Sequence, residues 1–199
     1  MPFGYVGNFP NQQLKNSGIF SPEDVLNLNA VGEYGGSLKL IQEQNVSSVT
    51  SVDFLSIQED QYDVHLLFLN NATADANLNS GFQFYESGII RTAADYQYGQ
   101  LYGITSGTFN TQNSTGISRI VAQNIFSANP TGGYAYFYDL GNSSKYSFCT
   151  YHVWVDGQSL FMWGGGVSPL TSTVDGIKIY TSGTNNLSGN FKLFGVKQI

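Results

Sequence analysis

The chain has 199 residues, enough for one domain with an appendage and for a core that buries roughly 70% of the surface an unfolded chain exposes. Only 11% of the residues are charged, against roughly 25% in an ordinary soluble protein, so Ser, Thr, Asn and Gln must supply most of the wetted surface. A net charge of -6, with Lys and Arg scattered from Lys15 to Lys197, excludes a phosphate-binding role, and no nucleic-acid partner is expected.

A 15% aromatic content with 23 glycines points to short strands joined by turns. Met1 to Gln13 carries no basic, apolar leader, and no apolar run reaches the roughly 18 residues of a membrane span, so neither a standard secretion signal nor membrane insertion is expected. The single cysteine, Cys149, excludes an intrachain disulfide and fits synthesis in a reducing cytoplasm.

Residues 1-35 read as an extended arm, because Pro2, Pro10 and the Asn and Gln residues around them show no sustained period. One short helix is expected in the arm. Ser21 supplies an N-cap, Pro22 suits the first helical position, and Glu23 and Asp24 favour the positive end of the helix dipole. It would carry Val25, Leu26 and Leu28 as a docking face and end before Gly32. An isolated helix needs about 12-15 residues, so this arm must be ordered by a neighbour.

From Gly36 the period changes to two, and residues 36-199 read as one β-sandwich domain. Strands are predicted near 38-45, 48-57, 62-70, 81-86, 88-92, 99-106, 117-126, 133-139, 146-155, 158-163, 176-181 and 189-197. Asp156-Gly157 is the strongest hairpin signal, as that pair tolerates a type I′ turn. Trp163-Gly164-Gly165-Gly166 reads as a tight bend or bulge. Many short strands without intervening helices define an all-β class.

The block Gly36-Ser37-Leu38-Lys39-Leu40-Ile41, with Val52-Asp53-Phe54, Tyr62-Asp63-Val64-His65-Leu66 and Phe82-Gln83-Phe84, resembles β-sandwich domains of tail fibres, decoration proteins and other virion proteins of aquatic bacteriophages. Ser188-Gly189-Asn190-Phe191-Lys192-Leu193-Phe194-Gly195-Val196 resembles the closing strand of that domain, and Gly18-Ile19-Phe20-Ser21 with Asp24-Val25 resembles the segment preceding it. The resemblance implies a jelly-roll-like antiparallel sandwich and a non-enzymatic structural protein of the virion, made in the host cytoplasm. The first reading is a tail-fibre or spike component that attaches to other virion proteins through the arm, forms a homotrimer and contacts a host surface glycan. The second is a capsid decoration protein that stabilises the head. A polysaccharide depolymerase is a third. The family carries no shared catalytic residues, and no cofactor is implied.

Strand geometry also governs which candidate side chains can meet. In residues 146-155, Cys149 shares a face with Tyr151 and Val153 while His152 points away with Phe148 and Trp154, so a buried structural cysteine is expected rather than a nucleophile. His65 is expected to pair with Asp63 on its own face. Asp75, Asn77, Asn79 and Glu86 have the spacing of a calcium loop, but Ser80 stands where the turn glycine belongs, so a polar loop is expected and no metal site. Glu59, Asp60 and Asp63 read as a solvated turn rather than the paired carboxylates of a glycosidase. Tyr134, Tyr136 and Tyr138 share one strand face: packing inside the sandwich or between subunits is the first reading, and a glycan platform the second.

Overall fold

The described residues form thirteen strands: β1 (Leu38–Val49), β2 (Ser51–Phe54), β3 (Val64–Ala74), β4 (Leu78–Glu86), β5 (Ile89–Ile90), β6 (Tyr96–Ile104), β7 (Thr108–Ile117), β8 (Ile120–Ile125), β9 (Thr131–Tyr138), β10 (Ser147–Val155), β11 (Leu160–Ser168), β12 (Gly176–Thr181) and β13 (Leu187–Val196). The computed structural model describes residues 37-76, 78-104, 107-125, 129-156, 160-181, 183 and 185-197, which belong to one compact unit, Ser37–Ile199. The arm helix expected to carry Val25, Leu26 and Leu28 lies outside the described residues, and no helix occurs among them.

Every strand pairing is antiparallel. One sheet has eight strands in the order β1-β13-β3-β9-β10-β11-β6-β7; the other has five, in the order β2-β12-β4-β5 with β8 also paired to β4. When β5, β6, β7, β10 and β11 are set aside, β1-β13-β3-β9 face β2-β12-β4-β8. First pairs with last at each step, β1 with β13, β2 with β12, β3 with β9 and β4 with β8. This rolled hairpin is the jelly-roll topology that the sequence leads one to expect. Of the strands set aside, β10, β11, β6 and β7 lengthen the larger sheet beyond β9, while the two-residue β5 pairs with β4 in the smaller.

The core lies between the sheets. Phe82 and Phe84 of the smaller sheet meet Phe137 of the larger with ring centroids 5.2 and 6.0 Å apart, both edge to face. Burying each such ring contributes roughly 1.5–3 kcal/mol. Tyr96 packs on Phe84, and its hydroxyl accepts the Phe84 amide at 3.1 Å. Tyr151 crosses between the layers: its hydroxyl lies 2.7 Å from the Val121 carbonyl of β8 and 2.9 Å from Gln100 Oε1 of β6, and its single proton serves both acceptors.

Gly164, Gly165 and Gly166 are not a bend: they continue β11 in register opposite Tyr151, Thr150 and Cys149 on one side and Gln100, Gly99 and Tyr98 on the other. The inward glycines make room for neighbours, since a Cβ at Gly164 would meet the Tyr151 hydroxyl and one at Gly166 the Ile120 side chain, each at 2.5 Å. The β10-β11 hairpin is present, but its register places Val155 opposite Leu160. Asp156-Gly157 is therefore part of a longer connection, of which residues 157-159 lie outside the described residues.

Replacing Tyr151 with Phe keeps the ring and leaves the buried Val121 carbonyl without that donor. Urea unfolding is expected to show a loss of about 1–3 kcal/mol; an unchanged midpoint would show that the hydroxyl does not bind the layers together.

Candidate functional site

Alternation along β9 and β10 sends Ala135 and Phe137, and Cys149, Tyr151 and Val153, into the core. The opposite face carries Tyr134, Tyr136 and Tyr138 on β9 and Phe148, Thr150, His152 and Trp154 on β10. The tyrosines are half-buried and point outward, so packing inside the sandwich is not their role. Cross-strand bonds hold this face in place: the Tyr134 hydroxyl lies 3.0 Å from His152 Nδ1, and the Tyr138 hydroxyl 3.2 Å from Thr150 Oγ1. Tyr136 and Tyr138 stack at 6.3 Å.

Neighbouring strands extend the surface. Trp163 on β11 stands opposite His152, with Phe161 stacked on it at 5.1 Å and 12°. Trp154 is 51% exposed and lies over Gly132, where a Cβ would come within 2.6 Å of the indole. These rings form two depressions that share Trp154 as a wall. One, of about 340 Å³, is bounded by Tyr134, His152, Phe161 and Trp163; the other, of about 390 Å³, by Asn70, Asn71, Thr131 and Asp156.

A third depression, of about 430 Å³, continues along the same strands. Its floor is the outward pair Gly165 and Gly99, opposite one another on β11 and β6. A Cβ at Gly99 would have nothing within 4 Å. Phe148 and Val167 line one side, and Gln97, Asn113, Thr115 and Thr150 bring uncharged hydrogen-bonding groups to it.

The strands β9, β10, β11, β6 and β7 contain no Asp, Glu, Lys or Arg. At the opposite side of the same sheet, Lys192 on β13 pairs with Glu43 on β1 at 3.2 Å. Asn190 donates to that carboxylate at 2.6 Å and, with Lys192, holds its pKa below the usual range.

The remaining candidates do not assemble. Cys149 is wholly buried, its thiol pushed up to about 12 by burial, and His152 lies on the opposite face of β10. His65 is buried and places Nε2 2.7 Å from the Ile57 carbonyl, while its Nδ1 has no hydrogen-bond partner, so Asp63 is not the partner expected. Burial lowers the pKa of His65 against the opposing pull of the Ile57 carbonyl. Asp75 accepts the Asn186 amide at 3.2 Å, and Glu86 takes Ser172 at 2.7 Å at the far end of β4. The extended strand Leu78–Glu86, roughly 25 Å long, keeps Asp75 and Glu86 apart, and Asn77 lies outside the described residues. Glu59 and Asp60 occupy a turn, with Asp60 and Asp63 exposed. Among the described residues no group of three His, Cys, Asp or Glu side chains converges to hold a metal ion.

Sequence reasoning found the tyrosines of β9 and the Phe148, His152 and Trp154 face of β10, but not Trp163, Phe161, Gly165 or Gly99. The signal for the last four is tertiary, because β11 meets β6 across about sixty residues of sequence.

No family model and no curated protein matches the chain. Among solved structures it is similar to a fructofuranosidase variant from Schwanniomyces occidentalis complexed with fructosylnystose, at 6% identity and a TM-score of 0.25. That match covers 83% of this chain and 35% of the enzyme's, so the chain spans about a third of that protein's length. A likeness at this level carries no argument about fold or function.

A thiol with a pKa near 12 is protonated at mildly alkaline pH. Ellman's reagent is expected to leave Cys149 untouched in the native chain and to titrate it fully in guanidinium; rapid reaction of the native protein would mean that the site opens.

Proposed function

We propose that the chain is a non-enzymatic structural and host-contact protein of a bacteriophage particle, of the tail-fibre or spike type. Residues 1-35 attach it to other virion proteins, and the jelly roll projects outward, carried as a homotrimer. The observation that carries the contact role is the outer face of β9, β10 and β11, where Tyr134, Tyr136, Trp154 and Trp163 stand on strands without a charged residue. Large exposed aromatic surfaces mark binding sites on proteins that otherwise avoid them. Aromatic rings with polar tips suit a partner that is part apolar and part hydroxylated. The virion setting rests on the strand-pattern resemblance and on a surface of neutral polar residues suited to assembled proteins. Jelly rolls also recur in viral shells and lectins, which is agreement at the level of architecture.

Particles are prepared with the wild-type chain, a chain beginning at Gly36, and a chain with Tyr134, Tyr136 and Tyr138 replaced by Ala. The shortened chain is expected to fold and fail to incorporate. The tyrosine variant is expected to incorporate as a trimer and adsorb to host cells about tenfold more slowly, since removing the stacking rings weakens the encounter complex. Normal incorporation of the shortened chain would remove the anchoring role, and unchanged adsorption by the tyrosine variant would remove the contact role.

A further inference from the structure

Resting on that contact reading, we infer that the three depressions on the outer sheet face form one track for an uncharged saccharide chain, with Trp154 and Trp163 as stacking platforms and the Gly99-Gly165 trough as the seat where the sheet itself is bare. The depressions lie in line. Asp156, Trp154, His152, Thr150 and Phe148 follow one another on the outward side of β10, so the track runs roughly 25 Å along the strand. Tyr134, Tyr138 and Trp163 are held before anything binds, by the Tyr134-His152 and Tyr138-Thr150 bonds and by the Phe161-Trp163 stack. Preset rings lose little freedom on binding, which suits a ligand that gains little from each ring it meets.

Charge decides the class of occupant. A sulfated or uronic chain would meet no Lys or Arg on these five strands, the Asp156 carboxylate at one end, and a net charge of -6 overall. A neutral saccharide meets what it needs: flat rings for its C–H faces, and uncharged groups for its hydroxyls from Gln97, Asn113, Thr115 and Thr150, with Asn70 and Asn71 at the far end. The trough also separates this occupant from a second copy of the chain. A packed protein interface fills its centre with side chains, whereas here the centre is two opposed glycines, one of them with open space above it.

Both tryptophans of the chain lie on the track, so selectively excited tryptophan emission reports on this face alone. The full-length protein is titrated with neutral hexasaccharides of glucose, mannose and galactose, and with heparin as the anionic comparison. At least one neutral hexasaccharide is expected to give a saturable shift in tryptophan emission, and heparin none. Gly99→Leu puts a side chain into the trough at a position where its Cβ has nothing within 4 Å and keeps both tryptophans, and Asn113→Leu removes an exposed amide beside it; each is expected to weaken binding about tenfold with an unchanged melting midpoint. Asn113→Leu stands as the test if Gly99→Leu fails to fold. Silence from every neutral hexasaccharide, a response to heparin, or wild-type affinity in both variants overturns the track. Sedimentation showing a self-associated chain with both tryptophans shielded assigns the face to a second copy and overturns it as well. Particles carrying Gly99→Leu separate the two readings: lost adsorption without saccharide binding leaves the contact role standing and removes the saccharide, while saccharide binding with unchanged adsorption does the reverse.

Discussion

Packing of Phe82 and Phe84 against Phe137 closes the two sheets, and the remaining architecture follows from where that contact sits. Phe137 belongs to β9, the last jelly-roll strand of the larger sheet, and Tyr151 on β10 continues the contact to Phe82 at 6.2 Å. The smaller sheet therefore covers the inner face around β9 and β10. Its edge strand β8 reaches the inserted strands through Tyr151, which ties the Val121 carbonyl to Gln100 on β6. A strand has only two faces. Once Ala135, Phe137, Cys149, Tyr151 and Val153 are committed inward, the residues between them must stand outward, whatever their chemistry.

That constraint explains how aromatic side chains come to lie at the surface without weakening the fold. The core is complete without Trp154, which is half exposed, and without Phe148 at 45% exposure. What they contribute is surface, and the sequence keeps that surface free of charge over five adjacent strands while gathering ion pairs at β1 and β13 and in the Glu86-Arg91-Asp95 cluster beside β5. Glycines shape it further: Gly132 lets the Trp154 indole lie flat, and Gly99 and Gly165 leave the sheet bare at one level. Edge strand β7 closes the layer with Thr, Asn, Gln and Ser, polar without charge.

The fold class was legible because period-two alternation is a local signal, strong wherever one face is buried, as in Ser147–Val155. β7 was not legible for the same reason: Thr108–Ile117 has a neighbour on one side and little buried surface, so no apolar period marks it. The glycine run of β11 misleads because its cause lies in other strands, where Ile120 and Tyr151 occupy the space its side chains would fill. The site divides in the same way. Alternation put the β9 tyrosines on one face and Phe148, His152 and Trp154 on one face of β10, but whether each face turns inward depends on which side β4 and β8 cover. Trp163 and Gly99 join the surface only through the pairing of β11 with β10 and β6, which no local period encodes.

Hydroxyl-radical footprinting of the full-length chain, free and bound to host envelopes, addresses most directly whether the fold leaves this face open for a partner. In the free chain Trp154, Trp163 and Phe148 are expected to oxidise readily while Phe137 and Tyr151 stay unmodified, and on binding the first three are expected to become protected as Leu38 and Leu40 of β1 do not. Protection of Trp154 and Trp163 already present in the unbound protein, or unchanged oxidation on binding, would contradict a contact role for the outer face.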